Sequence, residues 1–248
     1  MISKDKSVKE HFKDNLARKL AQKICLVDKT FADKDYILYI KKNSKNKTYS
    51  QLLELHATAL HIFLKGTYKQ KLATLLEILG EENPSEEGMF KNYYWALPIG
   101  TFIALYGINV YSSSMKGLEK LTKRTTAEYA IRPFVKKYPK KTLNLCSTWA
   151  KSKSFHLRRL ASEGLRPKLP WAKALDIFNE NPTPVFNILY QLRNDESLFV
   201  RRSVANCIRD FIKVNEKEAK KLLGKIIKDK NKKTIWIYKH ATRKNILE

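Results

Sequence analysis

The stretch Ser154-Phe155-His156-Leu157-Arg158-Arg159-Leu160-Ala161-Ser162-Glu163 reads almost like a second stretch, Ser197-Leu198-Phe199-Val200-Arg201-Arg202-Ser203-Val204-Ala205-Asn206. The two lie 43 residues apart, and each carries a pair of arginines at the same place. Internal repetition at such a period predicts a fold built from stacked copies of one helical unit.

A period of 43 residues is the size of a HEAT-type repeat, in which two or three helices form one unit. Such units stack because none can bury its apolar face alone, so equivalent side chains recur on one curved surface. A third copy, Trp236 to Arg243, places Lys239 and Arg243 in the slots of Arg202 and Asn206. We predict an all-α fold, a HEAT-like solenoid or α-α superhelix with a basic concave face, in a single domain over residues 1–248.

The rest of the chain also has a helical period. Leu16, Leu20 and Ile24 fall on one face, and residues 52 to 63 repeat the pattern. Residues 35 to 40 alternate as a strand would, but their Lys-rich flanks favour a helix. Breaks between helices are predicted at residues 43–47, 81–88, 133, 166–170 and 181–184, where Gly, Pro, Asn and Ser collect.

The composition is strongly basic yet rich enough in apolar residues to form a core. Lys and Arg number 49 against 24 Asp and Glu, for a net charge of +25, and hydrophobic residues make up 43% of the chain. A repeated basic face indicates a repeated anionic ligand, and duplex nucleic acid is the best match. Lys-biased codon usage, a membrane surface and acidic protein partners are the alternatives.

Several functional classes lack their sequence signals. The three cysteines are far apart without a CxxC spacing, and His56 and His61 lie five residues apart, so neither a disulfide framework nor a metal site is expected. No glycine-rich phosphate loop occurs, so no cofactor is expected. The uncharged run from Tyr93 to Tyr111 is read as a buried helix that Gly107 ends, and no signal peptide or membrane partner is expected.

The repeated helices place carboxylates among the arginines. Residues four apart share a helical face, which aligns Arg159 with Glu163, and Arg202 with Asp210. A carboxylate repels the phosphates that the arginines attract, so its presence on that face needs a reason. An exposed i,i+4 ion pair is the simpler interpretation of Arg159 with Glu163, and helix packing is the simpler interpretation of Arg158 and Arg201.

Three segments resemble a known family: Thr126 to Phe134, His156 to Ala172 and Phe199 to Asn206. They are similar to the bacterial DNA alkylation repair glycosylases built from HEAT-like repeats, in particular to the AlkC branch of the AlkC/AlkD superfamily. Residues 52–63 and 94–107 resemble further helices of that family. Some members carry an additional immunoglobulin-like domain at the C-terminus, and the end at Glu248 resembles the shorter form.

The resemblance implies an alkylated-DNA N-glycosylase that removes cationic bases, typically 3-methyladenine and 3-methylcytosine, from duplex DNA in base excision repair. Glu128, Glu163 and Asp210 match the acidic cluster of the family. The repeat pattern independently aligns Glu163 and Asp210, whereas Glu128 rests on the resemblance alone.

Further residues complete the predicted interface. The expected DNA contacts come from seven cations, Arg158, Arg159, Arg166, Arg201, Arg202, Lys239 and Arg243, and two aromatic side chains, Trp171 and Trp236, are candidates for the surroundings of the lesion. We expect a monomer in the bacterial cytoplasm, associated with the nucleoid. A catalytically silent HEAT module that binds DNA and a protein scaffold remain the alternatives.

Overall fold

Helices form the regular secondary structure of the described residues, which are 10–86, 90–170 and 172–243 of a computed structural model. The chain divides into two compact units, Met1–Asn83 with Gly88–Ala130, and Pro84–Glu87 with Ile131–Glu248. The first unit contains helices α1 (Asp14–Val27), α2 (Asp33–Asn43), α3 (Tyr49–Phe63), α4 (Tyr68–Glu77), α5 (Phe90–Tyr93), a 3-10 turn (Tyr94–Ala96), α6 (Leu97–Tyr106) and α7 (Tyr111–Thr122).

Helix α8 (Glu128–Lys137) contains the boundary between the units. The second unit continues with α9 (Pro139–Trp149), α10 (Phe155–Glu163), α11 (Thr183–Gln191), α12 (Leu198–Ile212), α13 (Glu216–Ile227) and α14 (Lys232–Thr242). The described residues contain no strand, although an isolated antiparallel bridge joins Leu169 and Ala172. The all-α prediction is therefore confirmed, as is the helix over residues 35 to 40.

Local sequence signals explain where several helices begin. Thr48 and Thr67 each form a capping box with a glutamine three residues later, which satisfies backbone N–H groups at the starts of α3 and α4. Ser197, Asn215 and Asn231 cap the helices α12, α13 and α14 with their side-chain oxygens.

The helices of the second unit form two layers. Helices α10, α12 and α14 pack side by side, and α9, α11 and α13 form the other row, each also packed against the helix that follows it. The three neighbours α10, α12 and α14 contain the three repeated stretches. The helical-repeat architecture predicted from the 43-residue spacing is therefore confirmed.

Equivalent contacts hold the starts of two repeats. Nη1 of Arg158 donates to the carbonyls of Ser152 and Lys153, at 2.9 Å each. Nη1 of Arg201 donates to the carbonyls of Asp195 and Glu196, at 2.7 and 2.8 Å. Both arginines thus reach back six and five residues to the turn before their own helix. The similarity of the two stretches extends to this bracket of hydrogen bonds.

The predicted break at Pro133 is wrong, because α8 continues through that residue. Proline in a helix interior removes one hydrogen bond and costs about 3 kcal/mol. Its neighbours Ile131, Phe134 and Val135 are completely buried, and each buried side chain contributes about 1.5–3 kcal/mol. Tertiary burial therefore outweighs the local preference.

The uncharged segment from Tyr93 to Tyr111 forms a short buried helix. Helix α6 ends at Tyr106, and Gly107 follows it as predicted. None of the described helices is both long and apolar enough to cross a membrane.

Candidate functional site

The carboxylates Glu163 and Asp210 meet across one arginine. Glu163 is the last residue of α10, Asp210 lies near the end of α12, and Arg166 follows α10 in the chain. Nη1 of Arg166 donates to Oε1 of Glu163 at 2.6 Å, and its Nε donates to Oδ2 of Asp210 at 2.7 Å. With Ser203 these residues form what we call the carboxylate–arginine cluster.

Glu163 is buried and accepts hydrogen bonds on both oxygens. It is only 6% exposed, and Ser203 Oγ donates to its Oε2 at 2.6 Å, while Arg159 Nη2 lies 3.7 Å from its Oε1. Burial raises the pKa of the Glu163 carboxyl, but the charges of Arg159 and Arg166 and the hydrogen bonds from Ser203 and Arg166 outweigh it, so that the pKa is lowered. Glu163 is therefore ionised at neutral pH.

Asp210 keeps one oxygen open. Its Oδ2 accepts from Arg166, whereas Oδ1 accepts no hydrogen bond from the described part of the chain, and its side chain is 13% exposed. Burial alone would lower the pKa of Arg166, yet the two carboxylates raise it far above its usual value. The cluster is thus a fixed arrangement of ionised groups with a single carboxylate oxygen available to a ligand.

A buried arginine holds the loop that carries Arg166. Arg132 is 3% exposed, and its guanidinium donates to the carbonyls of Gly164, Arg166, Pro167 and Lys173 at 2.7–3.5 Å. Arginine suits this position because its donors lie in one plane at fixed angles. Arg132 therefore fixes a loop without regular secondary structure, and through it the place of Arg166.

A second group of polar side chains lies on the neighbouring helices α12 and α14, and we call it the arginine–histidine cluster: Arg202, Asn206, Arg209, His240 and Arg243. Asn206 Oδ1 accepts from Arg209 Nη2 and lies 3.3 Å from His240 Nε2. Arg243 Nη1 lies 3.3 Å from His240 Nδ1. Burial, followed by the charges of Arg243, Arg209 and Arg202, lowers the pKa of His240 to about 4, so its ring is neutral.

The remaining predicted DNA contacts differ in how far their charge is engaged. Arg158 forms a two-bonded ion pair with Asp195, at 2.6 and 3.0 Å. Arg159 lies over the ring of Phe199, with Cζ 4.5 Å from the centroid. Arg202 and Lys239 are exposed, and Arg201 bonds backbone carbonyls. These contacts with DNA stay predictions, and Arg158 and Arg201 also hold the turns that precede their helices.

The predicted lesion-proximal aromatic residues and Glu128 lie outside these two clusters. Trp236 stacks on His240, with ring centroids 4.6 Å apart and an interplanar angle of 17°. Trp171 lies outside the described residues. Glu128 begins α8 and belongs to the first unit, where its charge, after burial, raises the pKa of Tyr49 to about 12. Its catalytic role stays a prediction.

Sequence reasoning missed three polar residues that the structure places at the clusters. Ser203 corresponds to Leu160 in the repeat, and this exchange of a large apolar residue for a small polar one was a visible signal. Arg209 and His240 gave no comparable signal, because their roles depend on the contact between α12 and α14. The described residues contain no group of three or more His, Cys, Asp or Glu placed to hold a metal ion.

Comparison with known proteins shows where this arrangement occurs. A family model described as DNA alkylation repair enzyme matches residues 122–244, which include both clusters. The Pseudomonas fluorescens alkylpurine DNA glycosylase AlkC, bound to DNA containing an abasic site analog, matches with a TM-score of 0.85 and 29% identity. The match covers 96% of this chain and 64% of that one. The chain belongs to the HEAT-like superfamily of DNA alkylation repair proteins.

Another relative in this superfamily is the uncharacterized protein YhaZ of Bacillus subtilis (strain 168). It is 35% identical over 182 residues, which are 73% of this chain and 49% of that protein. The chain thus spans about half the length of this curated relative. The predicted resemblance to the DNA alkylation repair superfamily is confirmed.

Proposed function

We propose that the protein is a DNA glycosylase that binds duplex DNA and hydrolyses the N-glycosidic bond of cationic alkylated bases such as 3-methyladenine and 3-methylcytosine. The observation that carries the proposal is the pair of ionised carboxylates held by Arg166 within an arginine-rich part of the repeat. The superfamily and the likeness to AlkC support the same reaction.

The chemistry of a cationic base suits these groups. The bond between C1′ and the base nitrogen breaks, and its electron pair leaves with the base, which becomes neutral. The sugar then carries positive charge until water adds to C1′ and releases a proton. A carboxylate stabilises this developing cation, and the open Oδ1 of Asp210 is the atom placed to do so and to orient the water.

The ionisation of Glu163 defines the class of substrate. A general acid must hold a proton near neutral pH, but the lowered pKa of Glu163 leaves it without one. An alkylated base that is already cationic needs no protonation before it leaves. Neutral bases do need it, so the cluster favours cationic lesions over neutral ones.

Exposed cations supply the sequence-independent part of binding. Arg202, Lys239 and Arg243 are exposed side chains of α12 and α14, or directly follow α14, and each is available to a phosphate. We further propose that the protein acts without a cofactor, as a monomer, in the cytoplasm at the nucleoid. Phosphate contacts position a protein on DNA without selecting a sequence, which suits repair at any site.

The complete pairing of Glu163 favours a second candidate, a catalytically silent HEAT module that binds DNA. In that case the carboxylate–arginine cluster only joins α10 to α12. Such a module would bind duplex DNA without releasing a base, whereas a protein scaffold would do neither.

Single-turnover release of 3-methyladenine from methylated duplex tests the proposal. We expect Glu163→Gln and Asp210→Asn to keep the fold and most of the DNA affinity, because both changes are nearly isosteric and remove a charge that repels phosphate. Release should fall by a factor of about 10² to 10³, the usual effect of losing one well-placed electrostatic contact.

Asp229→Asn is the matched control. Asp229 pairs with Arg193 at 2.6 Å in the same unit, outside both clusters, so its loss should leave release unchanged. Wild-type release rates in both cluster variants would refute the catalytic role of these carboxylates. Duplex binding without release by the wild-type protein would establish the silent module instead.

A further inference from the structure

The arginine–histidine cluster offers hydrogen-bond donors whose acceptors are absent from the described residues. Nη1 of Arg209 is buried without a hydrogen-bond partner. The two acceptors within the cluster are already engaged, since Asn206 Oδ1 faces Arg209 and His240, and His240 Nδ1 faces Arg243. A buried N–H without an acceptor is costly, so the cluster calls for an acceptor from outside.

The charges of the cluster are also unbalanced. No carboxylate of the described residues forms an ion pair with Arg202, Arg209 or Arg243. Burial and then Arg243 lower the pKa of Arg209, which is the sign of a guanidinium that lacks compensation. An anion bound here would offset this repulsion.

Other arginines of the same unit show what compensation looks like. Arg158 pairs with Asp195, Arg166 with Glu163 and Asp210, and Arg193 with Asp229, each with a closest contact of 2.6 Å. Their charges are already used inside the protein. The arginines thus fall into a paired set and an unpaired set, and the unpaired set collects where α12 meets α14.

We propose that Arg202, Asn206, Arg209 and Arg243 form a binding site for one backbone phosphate of duplex DNA, with His240 and Trp236 as its rigid support. The proposal rests on the proposed function for the source of the phosphate and adds Asn206, Arg209 and His240 to the interface. A phosphodiester carries one negative charge and two unbridged oxygens that accept several hydrogen bonds, which fits an array of donors on two helices.

The support keeps these donors in place. The His240 ring lies parallel to the Trp236 indole and accepts from Arg243, so Arg243 is held beside α12 although its side chain is exposed. Asn206 fixes one nitrogen of Arg209 and leaves the amide N–H donors without an acceptor among the described residues. A site built in this way binds with little loss of side-chain freedom.

Salt titration of duplex binding tests the assignment. Each phosphate contact contributes about one to the slope of log affinity against log salt, so Arg209→Gln and Arg243→Gln should each make the slope shallower by about one. Arg193→Gln is the control, because its charge is paired with Asp229, and its slope should equal that of the wild type. Arg243 is exposed, so its variant should fold even if the Arg209 variant does not.

Inorganic phosphate separates the two sources of this ligand chemistry. At constant ionic strength it should weaken duplex binding by the wild type more than by Arg243→Gln. Slopes equal to the wild type in the Arg209 and Arg243 variants would overturn the proposal, and so would a phosphate effect without any change in slope, because the site would then hold free phosphate and not DNA. Shallower slopes in a protein that releases no base would support this site and refute the glycosylase function alone.

Discussion

Arg166 and Arg209 have the same side chain but opposite surroundings. The guanidinium of Arg166 lies between two carboxylates, whereas that of Arg209 lies among other cations. The sequence assigns every arginine of the repeated stretches the same contact with DNA. Only the structure separates those whose charge is neutralised within the protein from those that are available to a phosphate.

Arg166→Lys therefore has an expected result that differs from the loss of a phosphate contact. One ammonium group cannot bond Glu163 and Asp210 with the fixed geometry of Nη1 and Nε, so Asp210 should lose its position. We expect single-turnover release of 3-methyladenine to fall by about 10-fold or more, while duplex binding keeps its dependence on salt.

Release and binding must be measured on the same Arg166→Lys preparation, with thermal unfolding to verify the fold. Arg193→Lys is the corresponding control, because Arg193 also pairs with an aspartate, outside both clusters. A shallower salt slope with undiminished release would assign Arg166 to the phosphate backbone, as the sequence predicted.

At the level of single residues, the sequence located Glu163 and Asp210 because their positions follow from the spacing of one repeated helix. It could not predict that Arg158 binds Asp195 or that Arg132 binds the loop after α10, since those partners lie 32 to 41 residues away. A spacing within a helix is fixed by geometry, but a contact between elements depends on how the elements pack.

At the level of elements, the same contrast applies. The apolar period predicted the helices, because burial of one face every three or four residues is what makes them stable. The proline rule failed at Pro133, where buried neighbours outweigh the missing hydrogen bond. Local rules therefore locate elements more reliably than they locate breaks.

Two glycines in helices provide a paired test of this packing. A Cβ on Gly100 of α6 would lie 2.3 Å from Tyr129 Oη and 2.9 Å from its Cζ. A Cβ on Gly224 of α13 would meet no atom within 4 Å. Gly100→Ala should destabilise the protein by about 1–3 kcal/mol through overpacking, and Gly224→Ala should stabilise it by about 1 kcal/mol through helix propensity.

Urea unfolding followed by circular dichroism measures both effects. Because the two exchanges add the same methyl group, their difference reports the surroundings and not the chemistry of alanine. Equal stabilities for the two variants would show that α6 and Tyr129 are not packed as closely as described.

At the level of the whole molecule, net charge determines how binding responds to salt. The chain carries a net charge of +25. If the protein neutralises about six to ten phosphates, its affinity for duplex DNA should fall by about 10³ to 10⁵ between roughly 50 and 200 mM salt. Fluorescence anisotropy of a labelled duplex at increasing salt checks this. An affinity that hardly changed would contradict a counterion-driven interface.

The matched brackets of Arg158 and Arg201 have a consequence for the gene. Both arginines reach back six and five residues, to Ser152 and Lys153 or to Asp195 and Glu196. Removing codons 155 to 197 would join Ser154 to Leu198 and place Arg201 at the same distance from the carbonyls of Ser152 and Lys153 that Arg158 has now. Unequal recombination at these two points would lengthen or shorten the array by one whole unit and leave each junction with an arginine of the correct reach.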